Sequence, residues 1–490
     1  MHFLPANIYS GASVRQIDRI AIEDHGIPGY TLMRRAGAAA VKAALARFPD
    51  AKRWQVVCGA GNNGGDGYVV ARLAAQEGIV VSAVTLVDPG KLSGDAAAAY
   101  GDFVAEGGIV TAWDDNLDAE AGLLVDAMLG SGLERDVDAE FAAAVDAINA
   151  HPAPVHAMDI ATGINADSGD VLGTAVVADL TTTFVGLKAG LFLGEGASHN
   201  GEITFADLEI PAVCSETVPT ALLRIDQDYL AAMLPKRARA AHKGDFGHVL
   251  IVGGGPGMPG AARLCGEAAL RSGAGRVSVA THPDHAATIC ASRPELMCHA
   301  VNDADGLAPL LEKADVVAFG PGLGQSDWAR SLYKLLESYE GLSVWDADAL
   351  NLLSNAPKSV KNRIITPHPG EAATLLQSDS VQTDRPAAVE ALAAKYGGVA
   401  VLKGAGTLIS ANEEVPVIST SGNPGMAAAG MGDVLTGVIA AFLAQGLLLF
   451  DAAATGVEVH ARAGDVAALG GERGMLASDL LESLRSVVNR

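Results

Sequence analysis

The stretch His248-Val-Leu-Ile-Val252 is a short apolar run that continues as the glycine-rich segment Gly253-Gly-Gly-Pro-Gly257-Met-Pro-Gly260-Ala261. A short apolar run that ends in a glycine-rich turn is typical of a strand buried on both faces of a sheet. The pattern recurs along the chain, with helical, often alanine-rich stretches between several of the runs. Further strands are predicted at 54–58, 80–84, 123–125, 155–158, 181–185, 203–205, 276–280, 316–319, 343–345, 363–365 and 399–402. Apolar strands joined by helices predict an α/β architecture with parallel sheets that helices cover on both faces.

A change of composition near the middle predicts two α/β domains in tandem. The segment 208–245 holds three prolines and a basic cluster, and the alternation of strands and helices restarts at His248. We predict a first domain at 1–215, a linker at 216–224 and a second domain at 225–490.

Composition and charge restrict the class of partner. The 490 residues include 34 Lys and Arg against 57 Asp and Glu, and this net charge of −23 argues against binding to nucleic acid or to an anionic membrane. Five scattered cysteines fit reduced thiols, so we predict a cytoplasmic protein. The longest apolar run, 434–450, contains Thr436 and Gln445 and predicts a buried helix rather than a membrane span.

The loop Gly422-Asn-Pro-Gly425-Met-Ala-Ala-Ala-Gly430-Met-Gly432-Asp433 runs directly into that apolar segment. Glycine amides and a helix N-terminus form a site for anions, and Asp433 would face a phosphate bound there. Taken alone, Asp433 is either a helix cap or a general base. Groups at other strand ends favour the base, since carboxyl ends of parallel strands share one sheet edge. These groups are Gly320-Pro-Gly322-Leu-Gly324, Asp346-Ala-Asp348, Thr366-Pro-His368-Pro-Gly-Glu371 and Lys403-Gly-Ala-Gly406-Thr407.

Together with His242-Lys-Gly-Asp-Phe-Gly247, these motifs resemble the NAD(P)H-hydrate dehydratase family from about residue 223 to the C-terminus. The resemblance implies a ribokinase-like αβα fold, and a reaction in which ADP phosphorylates the hydroxyl of a damaged nicotinamide ring with Mg²⁺ present. Loss of phosphate then restores the ring, leaving AMP and phosphate. It also implies that Asp433 is the general base. The residues implied to hold the hydrate are Ala261, Gly322, His368 and Asp433, and those implied to contact the nucleotide are Lys403, Gly404, Ala405, Gly406, Thr407 and Gly432. Met431 stands where the family usually has threonine.

The first half carries its own glycine loop, Gly59-Ala-Gly61-Asn62-Asn63-Gly64-Gly65-Asp66-Gly67, with a helix predicted from Tyr68. Such a loop either holds a diphosphate with its amides or is a structural turn, and asparagine carbonyls are oxygen donors for a hard cation. Asp126 and Asp159 follow two other predicted strands, so they are expected near the same edge.

From about residue 9 to 211 the chain resembles NAD(P)H-hydrate epimerase, which implies a Rossmann-like three-layer αβα domain. The resemblance implies potassium at Asn63, Asp126 and Thr162, and Asp159 as the acid/base residue. The residues implied to contact the hydrate are Asn62, Asn63, Gly64, Gly65, Asp66, Gly130, Ser131, Gly132, Leu133, Glu134, Arg135, Asp136 and Asp159. Ala161-Thr162 stands where the family commonly has Pro-Ser.

Both resemblances together imply an enzyme that interconverts the R and S hydrates of NADH and NADPH and dehydrates the S form with ADP. We also expect a homo-oligomer. The alternative is a ribokinase-type small-molecule kinase fused to a non-catalytic nucleotide-binding domain.

Overall fold

The structure is a computed structural model that describes residues 4–412 and 414–489, and the chain divides into two compact units, Met1–Leu222 and Leu223–Arg490. This division falls inside the predicted linker 216–224, part of which forms a strand, Leu222–Arg224. None of the helices in the described ranges is long and apolar enough to cross a membrane.

The first unit is built on a parallel sheet between helices. Its strands are β1 (Asn7–Tyr9), β2 (Arg53–Cys58), β3 (Val80–Thr85), β4 (Ile109–Ala112), β5 (Leu123–Ala127), β6 (Val155–Met158), β7 (Leu180–Phe184), β8 (Leu187–Lys188) and β9 (Glu202–Ala206). Its helices are α1 (Gly11–Glu23), α2 (Gly29–Arg47), α3 (Asn62–Gln76), α4 (Gly94–Ala105), α5 (Ala139–Ala150), α6 (Gly196–His199) and α7 (Val213–Glu216). The strands of the sheet follow the order β4-β3-β2-β5-β6-β7-β9 and all pair in parallel, while β1 pairs in parallel with β8.

The second unit has a larger sheet. Its strands are β10 (Leu222–Arg224), β11 (His248–Val252), β12 (Arg276–Thr281), β13 (Met297–Ala300), β14 (Val316–Phe319), β15 (Ser343–Trp345), β16 (Arg363–Ile365), β17 (Val399–Leu402), β18 (Thr407–Ala411) and β19 (Val417–Ser419). Its helices are α8 (Gln227–Met233), α9 (Pro259–Arg271), α10 (Ala286–Ser292), α11 (Ala304–Leu311), α12 (Asp327–Leu336), α13 (Asp348–Asn355), α14 (Pro369–Leu376), α15 (Arg385–Tyr396), α16 (Met431–Ala444), α17 (Leu449–Ala467) and α18 (Ala477–Val487). The strand order is β13-β12-β11-β14-β15-β16-β17-β18-β19-β10.

The α/β prediction is confirmed, but three local predictions are wrong. First, the second sheet is not wholly parallel, because β18 runs antiparallel to both β17 and β19. The turn before β18 reverses the chain within four residues, and Gly404 and Gly406 supply the positive φ angles, 139° and 63°, that this reversal uses.

Second, the segment 62–67 is not a loop, because α3 begins at Asn62. Its glycines serve packing instead. A Cβ at Gly64 would lie 2.1 Å from the Gly59 carbonyl oxygen, and one at Gly67 would lie 2.6 Å from Cβ of Ala127. The absent side chains let the first turns of α3 approach the sheet closely.

Third, the apolar run 434–450 is not one helix. It breaks between α16 and α17, where Gly446 has a φ of 94° that ends the first helix. Both helices contribute many side chains to the buried apolar core of the second unit.

Because α16 packs closely on α9, a larger residue at a glycine between them should lower the stability of the second unit. A Cβ at Gly437 would lie 2.0 Å from the Cys265 carbonyl oxygen, a backbone atom that no rotamer change can move. We expect Gly437→Ala to lower the free energy of unfolding by at least about 1–3 kcal/mol, measured by chemical denaturation. Gly470→Ala is the control, because a Cβ there meets no heavy atom within 4 Å. Equal midpoints for the two variants would contradict this account of the packing.

Candidate active sites

A cavity of about 670 Å³ opens at the carboxyl ends of β2, β5 and β6 in the first unit. It brings together most of the residues that the sequence assigned to hydrate contacts: Asn62, Asn63, Asp66, Gly130, Ser131, Gly132, Leu133, Glu134, Arg135 and Asp159. Three of the predicted contact residues, Gly64, Gly65 and Asp136, are not among the lining residues. Gly64 and Gly65 lie inside α3, where Gly64 allows the close packing described above and a Cβ at Gly65 would lie 2.5 Å from the Met33 side chain.

Asp159 is fixed from both sides. The Lys188 ammonium binds its Oδ1 atom, and the Ser131 amide donates to its Oδ2 atom at 3.2 Å. Asp159 has a φ of 68°, a left-handed conformation that costs an aspartate about 1–3 kcal/mol and is often found at functional sites. Burial acts to raise the pKa of Asp159, but the positive charge and hydrogen bond of Lys188 outweigh it and lower the pKa.

Two further carboxyl groups, Asp18 and Asp66, line the same cavity. Burial raises the pKa of Asp18 to about 6, and it raises the pKa of Asp66 well above its ordinary value, with the Asp159 charge adding to both shifts. The cavity therefore shifts these carboxyl pKa values in opposite directions, down for Asp159 and up for Asp66. Such a separation is typical of acid/base sites.

The sequence prediction missed Lys188 and Asp18. Lys188 is the only charged residue in the apolar stretch 184–193, and this isolated charge was the available signal. Asp18 gave none, because it lies on an ordinary amphipathic helix.

Next to the cavity, Asp126 and Thr162 form a buried pair. The Thr162 amide and hydroxyl donate to the Asp126 carboxylate at 2.8 and 2.7 Å, and the Met128 amide donates at 3.2 Å. Burial raises the pKa of Asp126 to about 6 although these hydrogen bonds lower it. The Asn63 side chain is also buried, and neither of its polar atoms has a partner among the described residues.

In the second unit, Asp433 lies in the first turn of α16, whose N-cap is Gly430 with a φ of 90°. The first amides of any helix lack intrahelical acceptors, so they are directed toward an anion at this end. The Met431 side chain does not occupy the anion position at this helix end, because it is buried in the apolar core of the unit.

A buried ion pair lies beside this helix end. The Lys403 ammonium binds Asp346 Oδ1 at 2.7 Å, and the Thr436 hydroxyl donates to Asp346 Oδ2 at 2.9 Å. Burial acts to raise the pKa of Asp346, but Lys403 and the hydrogen bonds lower it, so the pair stays charged. Lys403 Nζ also lies 3.9 Å from the carboxylate of Glu371, a residue in the first turn of α14 to which the sequence prediction assigned no role.

Asp433 is the titratable group whose environment suits proton transfer near neutral pH. Burial is the main cause that raises its pKa to about 7, and the negative charges of Asp346 and Asp348 add to the shift while Lys403 opposes it. A general base is most effective when its pKa is close to the working pH. Since Gly430 is the N-cap of α16, Asp433 is not the cap residue of this helix.

Residues 403–406 form the turn between β17 and β18, and Thr407 begins β18, so five of the six predicted nucleotide contacts lie in one hairpin. Arg385 lies beneath it and donates to the Gly406 carbonyl at 3.0 Å. Gly432 lies close to the ion pair, because a Cβ there would be 3.3 Å from Lys403 Nζ.

The predicted hydrate contacts besides Asp433 are Ala261, Gly322 and His368. Ala261 and Gly322 are adjacent, since a Cβ at Gly322 would lie 2.9 Å from Cβ of Ala261. His368 caps α14, where its Nδ1 accepts from the Gly370 amide at 3.0 Å. This hydrogen bond leaves Nε2 of the exposed ring as the donor atom.

Comparison with known proteins gives two family matches. Residues 249–486 match the model described as NAD(P)H-hydrate dehydratase, and residues 29–190 match the model described as YjeF-related protein N-terminus. Among solved structures, a ribokinase-like superfamily protein from Enterococcus faecalis is 30% identical with a TM-score of 0.51, covering 54% of this chain and 95% of its own. A hypothetical protein from Streptococcus mutans has the same identity and TM-score, covering 54% and 98%.

Curated relatives match along the full length. A bifunctional NAD(P)H-hydrate repair enzyme of Coxiella burnetii is 46% identical over 98% of this chain and 99% of its own. One of the same name from Escherichia coli is 43% identical over 99% of this chain and 95% of its own.

Proposed function

The chain belongs to the bifunctional NAD(P)H-hydrate repair enzymes, and from that membership we propose a residue-level account of its two reactions. It is a metabolite repair enzyme that combines an epimerase with a dehydratase. The observation that carries the mechanism is Asp433, a carboxylate with a pKa of about 7 at a helix N-terminus beside the Lys403–Asp346 pair.

In the dehydratase, Asp433 removes the proton from the ring hydroxyl of the S hydrate. The freed oxygen forms a bond to the β-phosphorus of ADP, the bond from that phosphorus to AMP breaks, and AMP leaves with the electron pair. The first amides of α16 stabilise negative charge on the transferring group. The phosphate ester then expels phosphate as the ring loses a proton from the adjacent carbon, and the double bond is restored.

The nucleotide is placed by Lys403 and the amides of residues 404–407, the hairpin held by Arg385. Asp348 offers one carboxylate near Asp433, and Mg²⁺ is usually held by one or two carboxylates together with substrate phosphates. We propose that Asp348 and the ADP phosphates hold Mg²⁺, which would supply charge neutralisation. Asp348 Oδ2 is oriented by the Gly324 amide at 2.8 Å.

A product analysis with ADP and S hydrate tests this reaction. Equal amounts of AMP, phosphate and restored dinucleotide support it. A stable phosphorylated product would instead support the kinase alternative.

The raised pKa of Asp433 predicts a pH dependence of the dehydratase. Only the ionised form accepts a proton, so kcat/KM is expected to rise about tenfold per pH unit below about 7 and to level off above it. The measurement is kcat/KM for S hydrate with saturating ADP on both sides of neutrality. A flat profile across pH 7 would contradict the assignment of the base.

In the epimerase, Asp159 takes the proton of the ring hydroxyl as the bond between the carbon that bears it and the ring nitrogen breaks, which leaves an open-chain aldehyde and the electron pair on nitrogen. The nitrogen then closes the ring on the other face of the carbonyl group, and Asp159 returns the proton to the oxygen. Asp66, whose pKa is raised by burial, is a second carboxyl that lines the same cavity. Asn62 and residues 130–135, which line the cavity, contact the dinucleotide.

We propose a potassium site at Asn63, Asp126 and Thr162, and the residues fit it. The Asn63 amide is buried without a partner among the described residues, and Asp126 is a buried carboxylate whose ionised form a cation would favour. All the donors are oxygens, the ligands that hard cations bind. The ion would supply a fixed positive charge behind the cavity.

Removal of potassium tests this site. With choline as the only monovalent cation, we expect epimerisation to slow by at least about tenfold while the dehydratase rate on pure S hydrate is unchanged. An epimerisation rate independent of potassium would exclude the site.

Three further assignments stay predictions of the sequence: a functional boundary at residues 216–224, a homo-oligomer and a cytoplasmic location. NADH hydrate and NADPH hydrate are both proposed as substrates.

A further inference from the structure

Lys188 is completely buried, with 0% of its surface exposed, in the wall of the first-unit cavity. A buried lysine is costly unless its charge is paired and its donors are used. An ammonium has three donors, and here they go to the Asp159 carboxylate, the Thr183 hydroxyl at 3.0 Å and the Phe184 carbonyl at 2.9 Å. No donor remains for a bound hydrate.

Backbone strain surrounds this ion pair. Asp159 and Val185 both have left-handed backbone angles, with φ of 68° and 67°. Such angles are rare for a β-branched residue such as Val185. They are found mainly at functional sites, where the surrounding structure holds the backbone in the strained conformation. The strained turn at Val185 leads into β8, the strand that ends at Lys188.

We propose that Lys188 is a positioning residue of the epimerase, which orients Asp159 and keeps it ionised through their direct contact. The inference rests on the proposed role of Asp159. Since all three donors of Lys188 are used within the protein, it acts through Asp159 and not on the substrate. The opposite oxygen of Asp159 is held by the Ser131 amide, so the pair fixes the carboxylate in one orientation.

Other charged groups face the same cavity. They are Arg15, Asp18, Asp66, Asp95, Glu134 and Arg135. The charge of Lys188 also lowers the pKa values of Asp18 and Asp66, although burial keeps both raised. Removing Lys188 would raise all three carboxyl pKa values, and Asp159 is the carboxyl in direct contact with it.

The test uses the full chain with Lys188→Met, Asp159→Asn and the double variant. We expect Lys188→Met to slow epimerisation about 100-fold. Because Lys188 acts through Asp159, the double variant should be no slower than Asp159→Asn alone. The acidic limb of kcat/KM for Lys188→Met should move toward neutral pH, since the pKa of Asp159 rises without the ammonium.

Folding of the first unit is monitored by thermal unfolding, and the dehydratase rate on pure S hydrate checks that the second unit is unaffected. Lys52→Met is the matched control at an exposed lysine. A wild-type rate for Lys188→Met, or losses that multiply in the double variant, would overturn the inference. Normal epimerisation by Asp159→Asn would instead overturn the proposed role of Asp159 itself. The two failures are therefore distinct.

Discussion

Asp433→Asn is expected to lower kcat of the dehydratase by about 10²–10⁴-fold, the range of a general base. Asparagine keeps the size of the side chain and its place in the first turn of α16, so the apolar core beneath the helix is preserved. What is lost is the group whose pKa lies near 7 and which takes the hydroxyl proton. KM for ADP should change little, since Lys403 and the hairpin 403–407 hold the nucleotide.

Two controls accompany this variant. The epimerase rate of the same chain should be unchanged, because Asp159 lies in the other unit. Asp327→Asn removes a carboxylate from the first turn of α12 and should leave dehydration intact. If Asp433→Asn and Asp327→Asn behaved alike, Asp433 would be only a helix-end charge.

Asp159→Asn is expected to slow epimerisation by a similar factor of about 10²–10⁴. The neutral amide cannot accept a proton, and it leaves the buried Lys188 ammonium without its counter-charge. With a mixture of hydrates, the variant should restore the S fraction at the enzymatic rate and the R fraction only at the spontaneous rate.

Pure S hydrate is the control for Asp159→Asn, since its dehydration uses only the second unit and should proceed as in the wild type. Rapid repair of the whole mixture by the variant would show that another residue transfers the proton.

The sequence pattern was sufficient for the features that depend on local chemistry. Apolar runs such as 248–252 and 316–319 are the strands β11 and β14 at their predicted bounds. Because parallel strands end at one edge, the sequence predicts the strand-end residues Asp346 and Lys403 at the same edge, and in the structure they form an ion pair there. The helix after Asp433 followed from the apolar run that begins at Val434.

Contacts between residues that are far apart in the sequence could not be predicted from local patterns. Lys188 and Asp159 are 29 residues apart, and only the crossover between β6 and β8 brings them together. The glycines of 62–67 were read as a loop because glycine favours loops, but their role is decided by the sheet surface beneath α3. The exposed strand β4 was missed because it lacks a continuous apolar run.

If one chain repairs both hydrate epimers, a mixture of R and S hydrates should be restored in full. The measurement is the absorbance of restored NADH from such a mixture, with ADP, with ATP or without nucleotide. We predict that ADP supports restoration of the whole mixture at the enzymatic rate and that nothing is restored without nucleotide. Restoration of the S fraction alone, or a stable phosphorylated hydrate with no NADH, would contradict the account.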